Sequence, residues 1–388
     1  MGSLYEVFAQ GIIVQYELHA KELELIQSDR LLETFLTILR INSFYPDEQE
    51  VMLALRPRLA GVGMKLSEDD ARNVLCTWPG TGSKVDAEPV MLCAHVDTVR
   101  PTIGMEPIVR DGSVRSDGSS VLGADDKAAV AAIVEAAEAI AGAGVDHPPV
   151  EVLLTIGEDV GHIGSKAFDV SPVKSTLAFI PDSGGPVGGI ILASPYAQTF
   201  KVRFHGRAAH AGIEPENGRS ALNMAARAIE ALPWGRLDDE STSNVGSIHG
   251  GEAANIVAPE ADAVMQVRSL DETKFRRYVD DVMRSCEKAA ADLNGRIEQE
   301  VLISTRGFRF EESDPIVQRA KSAIRAAGME PSCTVSCGGS DANELNDKGL
   351  ATLVLCVGYV DIHSNQESMP IDQLNDLARV CVALMLGS

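Results

Sequence analysis

Several side chains that can bind metal ions or move protons lie just after apolar runs of this sequence, or where a helix begins. Imidazole and carboxylate groups without a thiolate suit borderline-hard divalent ions such as Zn²⁺, Co²⁺ or Mn²⁺. The sequence therefore predicts a centre for a pair of divalent ions. The residues concerned are His95, Asp97, Asp125, Glu158, Asp159, Asp182 and His363.

The number of candidate ligands fits two ions. A centre of this kind can be built from one histidine and one carboxylate for each ion, plus one carboxylate that bridges them. His95 and Asp182 would bind one ion, while His363 and Asp159 would bind the other. Asp125 would then be the bridging ligand.

Two of the carboxylates are left for supporting roles. Asp97 lies two positions beyond His95, on the same side of an extended segment, and can accept the other imidazole N–H. Glu158 stands beside Asp159 and would act as the general base for the attacking water. Taken singly, such residues are more often loop histidines, helix caps or solvated turns. Their repeated position after apolar strands favours a site.

The elements that carry these residues alternate between strands and helices. Apolar strands are predicted at 90–97, 151–156, 176–181 and 351–358, and unalternating strands of this kind are typical of a sheet buried on both faces. Helices are predicted at 29–43, 49–62, 125–144, 314–327 and 370–386. This pattern predicts an α/β fold with a largely parallel sheet flanked by helices. Ligands of such sheets bind at the carboxyl ends of the strands.

Residues 196–304 have a different pattern, in which alternating strands and amphipathic helices follow the order β-α-β-β-α-β. This order predicts an inserted α+β domain of the ferredoxin-like type. The domain prediction is therefore 1–195 with 305–388 as a catalytic domain that binds two metal ions, and 196–304 as an inserted domain, to which the resemblance described below assigns a lid or dimerisation role. Residues 1–27 form an N-terminal extension to which the sequence assigns no role.

Composition limits the classes of partner. The 388 residues include 34 Lys and Arg against 56 Asp and Glu, which gives a net charge of −22. A surface this acidic repels nucleic acids and anionic membranes. No apolar run reaches the length of a transmembrane helix, and the N-terminus lacks a basic region typical of a secretory signal. The 7 cysteines are scattered and odd in number, so that a reducing, cytoplasmic compartment is predicted.

At the level of motifs, the chain resembles the peptidase T-like group of zinc-dependent exopeptidases, which are related to aminoacylases, succinyl-diaminopimelate desuccinylases and glutamate carboxypeptidases. The resemblance covers roughly residues 28–386, and its motifs occur in the family's order. These motifs are MLCAHVDTV, GADDKAAVAAI, IGEDVGHIGSKAF, PDSGG, HGRAAHAGIEPENGRSA, GGEAANIVAP, and CGGSDANELNDKG with IHSNQE.

The resemblance implies the metal ligands, the bridging carboxylate and the general base that were assigned above from the number of candidate residues. The family's acidic pair is usually Glu-Glu, whereas this chain has Glu158 and Asp159, so the backbone of the second acid must come about one methylene closer to its ion. The resemblance also implies that His210 polarises the scissile carbonyl, often across a dimer. It further implies that Asn255 and Arg268 hold carbonyl or carboxylate groups of the substrate.

The implied activity is hydrolysis of a peptide bond in short peptides, of the tripeptide aminopeptidase type. Two divalent ions, with Zn²⁺ favoured, would activate the water. Two alternatives remain open: an N-acyl amino acid amidohydrolase or carboxypeptidase of the same superfamily, and a non-catalytic protein that binds a metal or a peptide. The expected partners are a short peptide or an acylated amino acid, and a second copy of the chain through the inserted domain.

Overall fold

The computed structural model describes residues 25–336 and 338–387, so most of the predicted N-terminal extension lies outside the described residues. The chain divides into two compact units. The second unit comprises Ala193–Arg309 with the short segment 338–339, and the first comprises the remaining described residues. The second unit therefore starts at 193 and ends at 309, whereas the predicted insertion spans 196–304. The roles assigned to the two units stay predictions.

The described helices and strands are as follows. The helices are α1 (Ser28–Leu39), α2 (Gln49–Gly61), α3 (Ala124–Ala143), α4 (Ile163–Ala167), α5 (Ala221–Glu230), α6 (Glu272–Asp292), α7 (Pro315–Ala326), α8 (Asp341–Asp347) and α9 (Ile371–Leu386). The strands are β1 (Lys65–Glu68), β2 (Val74–Trp78), β3 (Val90–His95), β4 (Ile108–Arg110), β5 (Ser113–Arg115), β6 (Val150–Thr155), β7 (Leu177–Ser183), β8 (Gly189–Ile191), β9 (Ala193–Ser194), β10 (Tyr196–His205), β11 (Gly235–Asp238), β12 (Ser241–Gly250), β13 (Glu260–Ser269), β14 (Arg296–Thr305), β15 (Phe308–Arg309), β16 (Ser332–Thr334), β17 (Ala351–Cys356) and β18 (Ser368–Pro370).

The first unit is built on an eight-stranded sheet with the order β1-β2-β6-β3-β7-β17-β8-β16. Its centre is parallel, because β3 pairs with β6 and β7, and β17 pairs with β7, in the same direction. The edge strands β1 and β2 are antiparallel. All residues of β3 and β6 are buried, as expected for strands covered on both faces. The predicted α/β class with a largely parallel sheet is confirmed.

Helix α3 forms the centre of the helical layer of the first unit. Its alanines are small enough to let it pack closely against α1, α2, α9 and strand β3. The helix ends at Gly144, whose φ of 64° lies in the left-handed region that favours glycine at a helix C-terminus. This packing buries the first turn of α3, which carries Asp125, at the end of the sheet.

The second unit has a five-stranded sheet with the order β11-β12-β13-β10-β14. Strands β10, β12, β13 and β14 with α5 and α6 follow the predicted β-α-β-β-α-β order, and β11 is an additional edge strand. Burial alternates along β13, and the buried face packs against the two amphipathic helices. Ser220 and Asp271 cap α5 and α6 by accepting backbone N–H groups.

Within residues 25–336 and 338–387, no helix has both the length and the apolar character that crossing a bilayer requires.

Candidate active site

The predicted ligands of the first unit gather at one edge of its sheet. Parallel strands present their carboxyl ends at the same edge, and four of them end here. One histidine ends β3, an aspartate lies near the end of β7, the acidic pair follows β6, and the second histidine follows β17. These residues are His95, Asp182, Glu158 with Asp159, and His363.

We use the term inner position for the ligand atoms of His95, Asp182 and the nearer oxygen of Asp125. The Nε2 atom of His95 lies 3.2 Å from Asp125 Oδ1 and 3.7 Å from Asp182 Oδ1. These three ligand atoms all lie within 4.8 Å of one another. His95 is only 2% exposed, so the inner position is enclosed by protein.

We use the term outer position for the ligand atoms of His363, Asp159 and the other oxygen of Asp125. The Nε2 atom of His363 lies 3.1 Å from Asp125 Oδ2 and 3.3 Å from Asp159 Oδ1. Asp125 thus turns one oxygen toward each position, which is the arrangement of a carboxylate that bridges two ions. The His363 side chain is 48% exposed, so this position faces solvent.

The spacing of these atoms fits tetrahedral ions. Ligands about 2.0–2.2 Å from a tetrahedral ion lie about 3.3–3.6 Å from one another. The distances from His95 and His363 to their carboxylate neighbours run from 3.1 to 3.7 Å. In addition, the second oxygen of Asp159 is buried without a hydrogen-bond partner among the described residues. The residues present therefore fit divalent ions. One ligand group comprises His95, Asp125 and Asp182, and a second comprises His95, Glu158 and Asp159, each with its ligand atoms within 4.8 Å of one another.

Asp97 lies between His95 and the turn that carries Glu158 and Asp159. Its Oδ1 lies 3.3 Å from His95 Nδ1, on the side of the ring that faces away from the inner position. The same carboxylate accepts the backbone N–H groups of Glu158 at 3.0 Å and Asp159 at 3.1 Å. Asp97 is fully buried, holds the turn by these two hydrogen bonds, and lies at ion-pair distance from the ring of His95.

The close contacts between the histidines and the carboxylates shift the pKa values of both histidines upward. Burial lowers the pKa of His95, but the carboxylates of Asp97, Asp125 and Asp182 outweigh it and raise that pKa well above its usual value. Hydrogen bonds to Asp125 and Asp159 raise the pKa of His363 to about 10. An ion would have to displace these histidine protons, which makes metal binding depend on pH.

The pKa values of two carboxylates in this cluster shift in opposite directions. Although burial raises the pKa of Asp125, hydrogen bonds from His363 and His95 hold it below its usual range. Burial raises the pKa of Glu158 well above its usual value, and the Asp182 charge adds to the rise. Burial thus disfavours the charged form of Glu158, whereas the two histidines favour the charged form of Asp125.

Two further buried acids lie around these positions: Glu367, which sequence reasoning missed, and Asp126, which the sequence indicated as an acid at a helix N-terminus and not as a ligand. Glu367 is 1% exposed and accepts the backbone N–H groups of Gly123 at 2.8 Å and Asp125 at 3.1 Å, so it fixes the turn that carries Asp125. Asp126 is fully buried, and its two oxygens have no partner among the described residues. Burial raises the pKa of Asp126 well above its usual value. The only signal for Glu367 was its position four residues after His363.

Three predicted substrate contacts lie in the second unit. His210 and Asn255 are exposed and adjacent, because the backbone N–H of Ala211 donates to the Asn255 carbonyl oxygen at 2.9 Å. Arg268 is half-buried on β13, where its Nε donates to Gln266 Oε1 at 2.8 Å. The structure thus brings His210 and Asn255 together within this unit, while the roles of all three residues stay predictions.

The fold and the ligand set together define a class. An α/β sheet whose carboxyl edge carries imidazole and carboxylate groups, without thiolates and beside a further carboxylate, is typical of metal-dependent hydrolases. Two family models match the chain in line with this class. The model for peptidase family M28 matches residues 73–189, and the model for a peptidase dimerisation domain matches residues 193–294.

Individual relatives narrow the class to a family. The chain is similar to an aminopeptidase PepT from Bacillus cereus, with 34% identity, a TM-score of 0.89, and coverage of 94% of this chain and 99% of that one. A tripeptidase from Staphylococcus aureus gives 33% identity, a TM-score of 0.89, and coverage of 93% and 98%. YqjE of Bacillus subtilis is 37% identical over 93% of this chain and 99% of its own length. The chain belongs to the peptidase T-like family of metallo-exopeptidases, and it is a hydrolase that acts on peptide bonds.

Proposed function

We propose that this enzyme removes the N-terminal residue from short peptides, with tripeptides as the preferred substrates. The full-length similarity to an aminopeptidase PepT and to a tripeptidase supports this specificity. The observation that carries the proposal is the pair of positions that share Asp125, with the Glu158 carboxylate beside them. This arrangement provides both the ligands and the base that hydrolysis needs.

We assign two divalent ions to the site, with Zn²⁺ favoured and Co²⁺ or Mn²⁺ as alternatives. His95 and Asp182 would hold the inner ion, His363 and Asp159 would hold the outer ion, and Asp125 would bridge them. When bound, such ions lower the pKa of a coordinated water and polarise the substrate carbonyl. All five ligand groups come from imidazole or carboxylate, which suits these metals.

Within this proposal, Glu158 moves the proton. Its carboxylate removes a proton from the attacking water and then donates that proton to the nitrogen of the leaving amine. Asp97 keeps the Glu158 turn in place through the backbone N–H of Glu158.

The second unit would contribute substrate contacts. His210 would polarise the scissile carbonyl, and Asn255 and Arg268 would hold the peptide's carbonyl or carboxylate groups. The match of a peptidase dimerisation domain model to residues 193–294 supports a homodimer formed through this unit. We further propose a cytoplasmic location, which is supported by the free thiols at Cys76, Cys93, Cys286, Cys333, Cys356 and Cys381.

The Glu158→Ala variant tests the mechanism. Removing the base should lower kcat for trialanine by about 10²- to 10⁴-fold, since general-base catalysis contributes this much. Two metal ions per chain should remain, because Glu158 is not one of the assigned ligands. The control is Glu106→Ala, which removes an exposed carboxylate that pairs with Arg40 and should leave kcat unchanged. Near-normal turnover in the Glu158 variant would contradict the assignment.

A substrate panel tests the specificity. The metal-loaded enzyme is incubated with free tripeptides, free dipeptides, N-acetylated amino acids and peptides blocked at the N-terminus, and the products are identified by mass spectrometry. Release of the N-terminal residue from tripeptides supports the proposal. Cleavage of the acetylated amino acids, or removal of the C-terminal residue from blocked peptides, would instead show an amidohydrolase or a carboxypeptidase.

A further inference from the structure

A histidine outside the assigned ligands lies between two glutamates at the active site. The Nε2 atom of His162 is 3.4 Å from Glu158 Oε1, and its Nδ1 atom is 3.2 Å from Glu344 Oε1. The side chains of His162, Glu158 and Glu344 are 11%, 11% and 13% exposed. One imidazole therefore lies between Glu158, the base of the proposed mechanism, and a second carboxylate.

The backbone fixes His162 relative to Glu158. The N–H of His162 donates to the Glu158 carbonyl oxygen at 2.9 Å, and Gly161 donates to the same oxygen at 2.9 Å. His162 has a φ of 59°, in the left-handed region that few residues with a side chain adopt. The next residue, Ile163, donates to the Gly157 carbonyl oxygen at 2.9 Å and closes the turn. The acid and the imidazole thus belong to one closed turn.

Helix α8 holds Glu344 at the other side of the ring. Ser340 caps this helix, and the Asp341 carboxylate accepts hydrogen bonds from the hydroxyls of Thr155 and Ser165. Ser165 belongs to α4, which starts directly after His162. Lys348 donates to the carbonyl oxygens of Ser165, Lys166 and Phe168 at the end of α4. These hydrogen bonds therefore hold α4 and α8 against each other.

We propose that His162, oriented by Glu344, is a positioning residue that holds the Glu158 carboxylate for proton transfer. This inference rests on the proposed role of Glu158. The Nδ1 atom of His162 is hydrogen-bonded to Glu344, which fixes the ring. The Nε2 atom then lies at ion-pair distance from Glu158. Because all three side chains are largely shielded from water, these contacts are little weakened by solvent. A carboxylate held in one orientation is more often in the rotamer from which proton transfer can occur.

The chain offers a matched control for such an arrangement. In the second unit, His205 also lies between two glutamates, with its Nδ1 3.5 Å from Glu260 and its Nε2 3.3 Å from Glu298. Those glutamates are 63% and 57% exposed, and none of the three residues belongs to the proposed site. Substituting His205 therefore removes a histidine between two acids without touching Glu158.

The test compares His162→Asn with His205→Asn in the metal-loaded full chain, using trialanine as the substrate. Asparagine tolerates the left-handed backbone at 162, so the turn is kept. The His162 variant should lower kcat by about 10- to 100-fold, the usual effect of removing a residue that orients a catalytic group. Its KM, its two metal ions per chain and its Tm should stay unchanged. The His205 variant should keep its kcat, and Glu344→Gln should show a smaller loss than His162→Asn.

A double variant shows whether His162 acts through Glu158. If it does, adding His162→Asn to Glu158→Ala should cause no further loss of kcat. An unchanged kcat in His162→Asn, or the same loss from His162→Asn with and without Glu158, would overturn the inference. If Glu158→Ala itself keeps its turnover, the proposed mechanism fails, and this result is distinct from failure of the His162 inference alone.

Discussion

The proposed inner and outer metal positions share Asp125 but differ in how the protein holds their histidines. His95 ends the central strand β3, is 2% exposed, and has Asp97 on its other ring nitrogen at 3.3 Å. His363 lies in a loop beyond β17, has a φ of 62°, and has a side chain that is 48% exposed. One histidine is fixed by the sheet and the other by a loop.

This difference predicts unequal affinities. A ligand on a buried strand is ordered before the ion arrives, whereas a loop side chain must give up conformational freedom on binding. The carboxylate behind His95 also fixes the ring's orientation, which typically matters for affinity and activity. We therefore expect the inner position to fill first and to release its ion last.

Replacing each histidine in turn tests the difference between the inner and outer positions most strongly. His95→Ala should empty the inner position and lower kcat by about 10³-fold or more, because several kcal/mol of stabilisation are lost with the ion. It should also weaken the outer ion, since Asp125 loses the partner of its Oδ1 atom. His363→Ala should keep one tightly held ion. Native mass spectrometry of both variants counts the ions directly, and a His95→Ala protein that retains two ions would disprove the inner assignment.

Asp97→Asn tests the support behind the inner histidine. The amide has one oxygen to replace the two that meet His95 and the N–H groups of Glu158 and Asp159. Affinity at the inner position should fall about 10- to 100-fold, the usual cost of losing such a carboxylate. Competition with a zinc-sensitive dye measures the affinity. The control Asp117→Asn, at an exposed turn that bonds Ser119, should leave it unchanged, and equal losses in both variants would contradict a specific role.

Asp159→Glu should have the smallest effect of these variants, and it tests the affinity of the outer position alone. The family usually has Glu here, but the Asp159 backbone N–H is tied to Asp97, and its Oδ1 already lies 3.3 Å from His363 Nε2. A side chain longer by one methylene should weaken only the outer ion, by about 1 kcal/mol or roughly 5-fold. The same dye titration, which resolves two steps, measures this change. A shift of the tighter step instead would place Asp159 at the inner position.

Much of the site could be predicted because buried parallel strands leave a clear mark in the sequence. His95, Asp182 and the Glu158 pair follow apolar runs directly, so the sheet itself brings them to one edge. The short strands β1, β4, β8 and β16 could not be predicted, since three or four residues carry no clear pattern.

The surrounding acids and His162 were out of reach for a different reason. Glu367 contacts Gly123 across 244 positions, and His162 meets Glu344 across 182. These contacts depend on how loops and short helices pack, and this packing cannot be inferred from a single sequence. In contrast, the ferredoxin-like order of the second unit was evident, because its strands and amphipathic helices are long.

Stepwise loading with Zn²⁺ tests the central claim most directly. The enzyme is stripped with a chelator, Zn²⁺ is added in steps, and bound ions are counted by native mass spectrometry while trialanine hydrolysis is followed in the same samples. We predict two binding steps of unequal affinity, with turnover rising as the second ion binds. Full turnover in the stripped enzyme, or a single ion at saturation, would contradict a hydrolase that works with two ions bridged by Asp125.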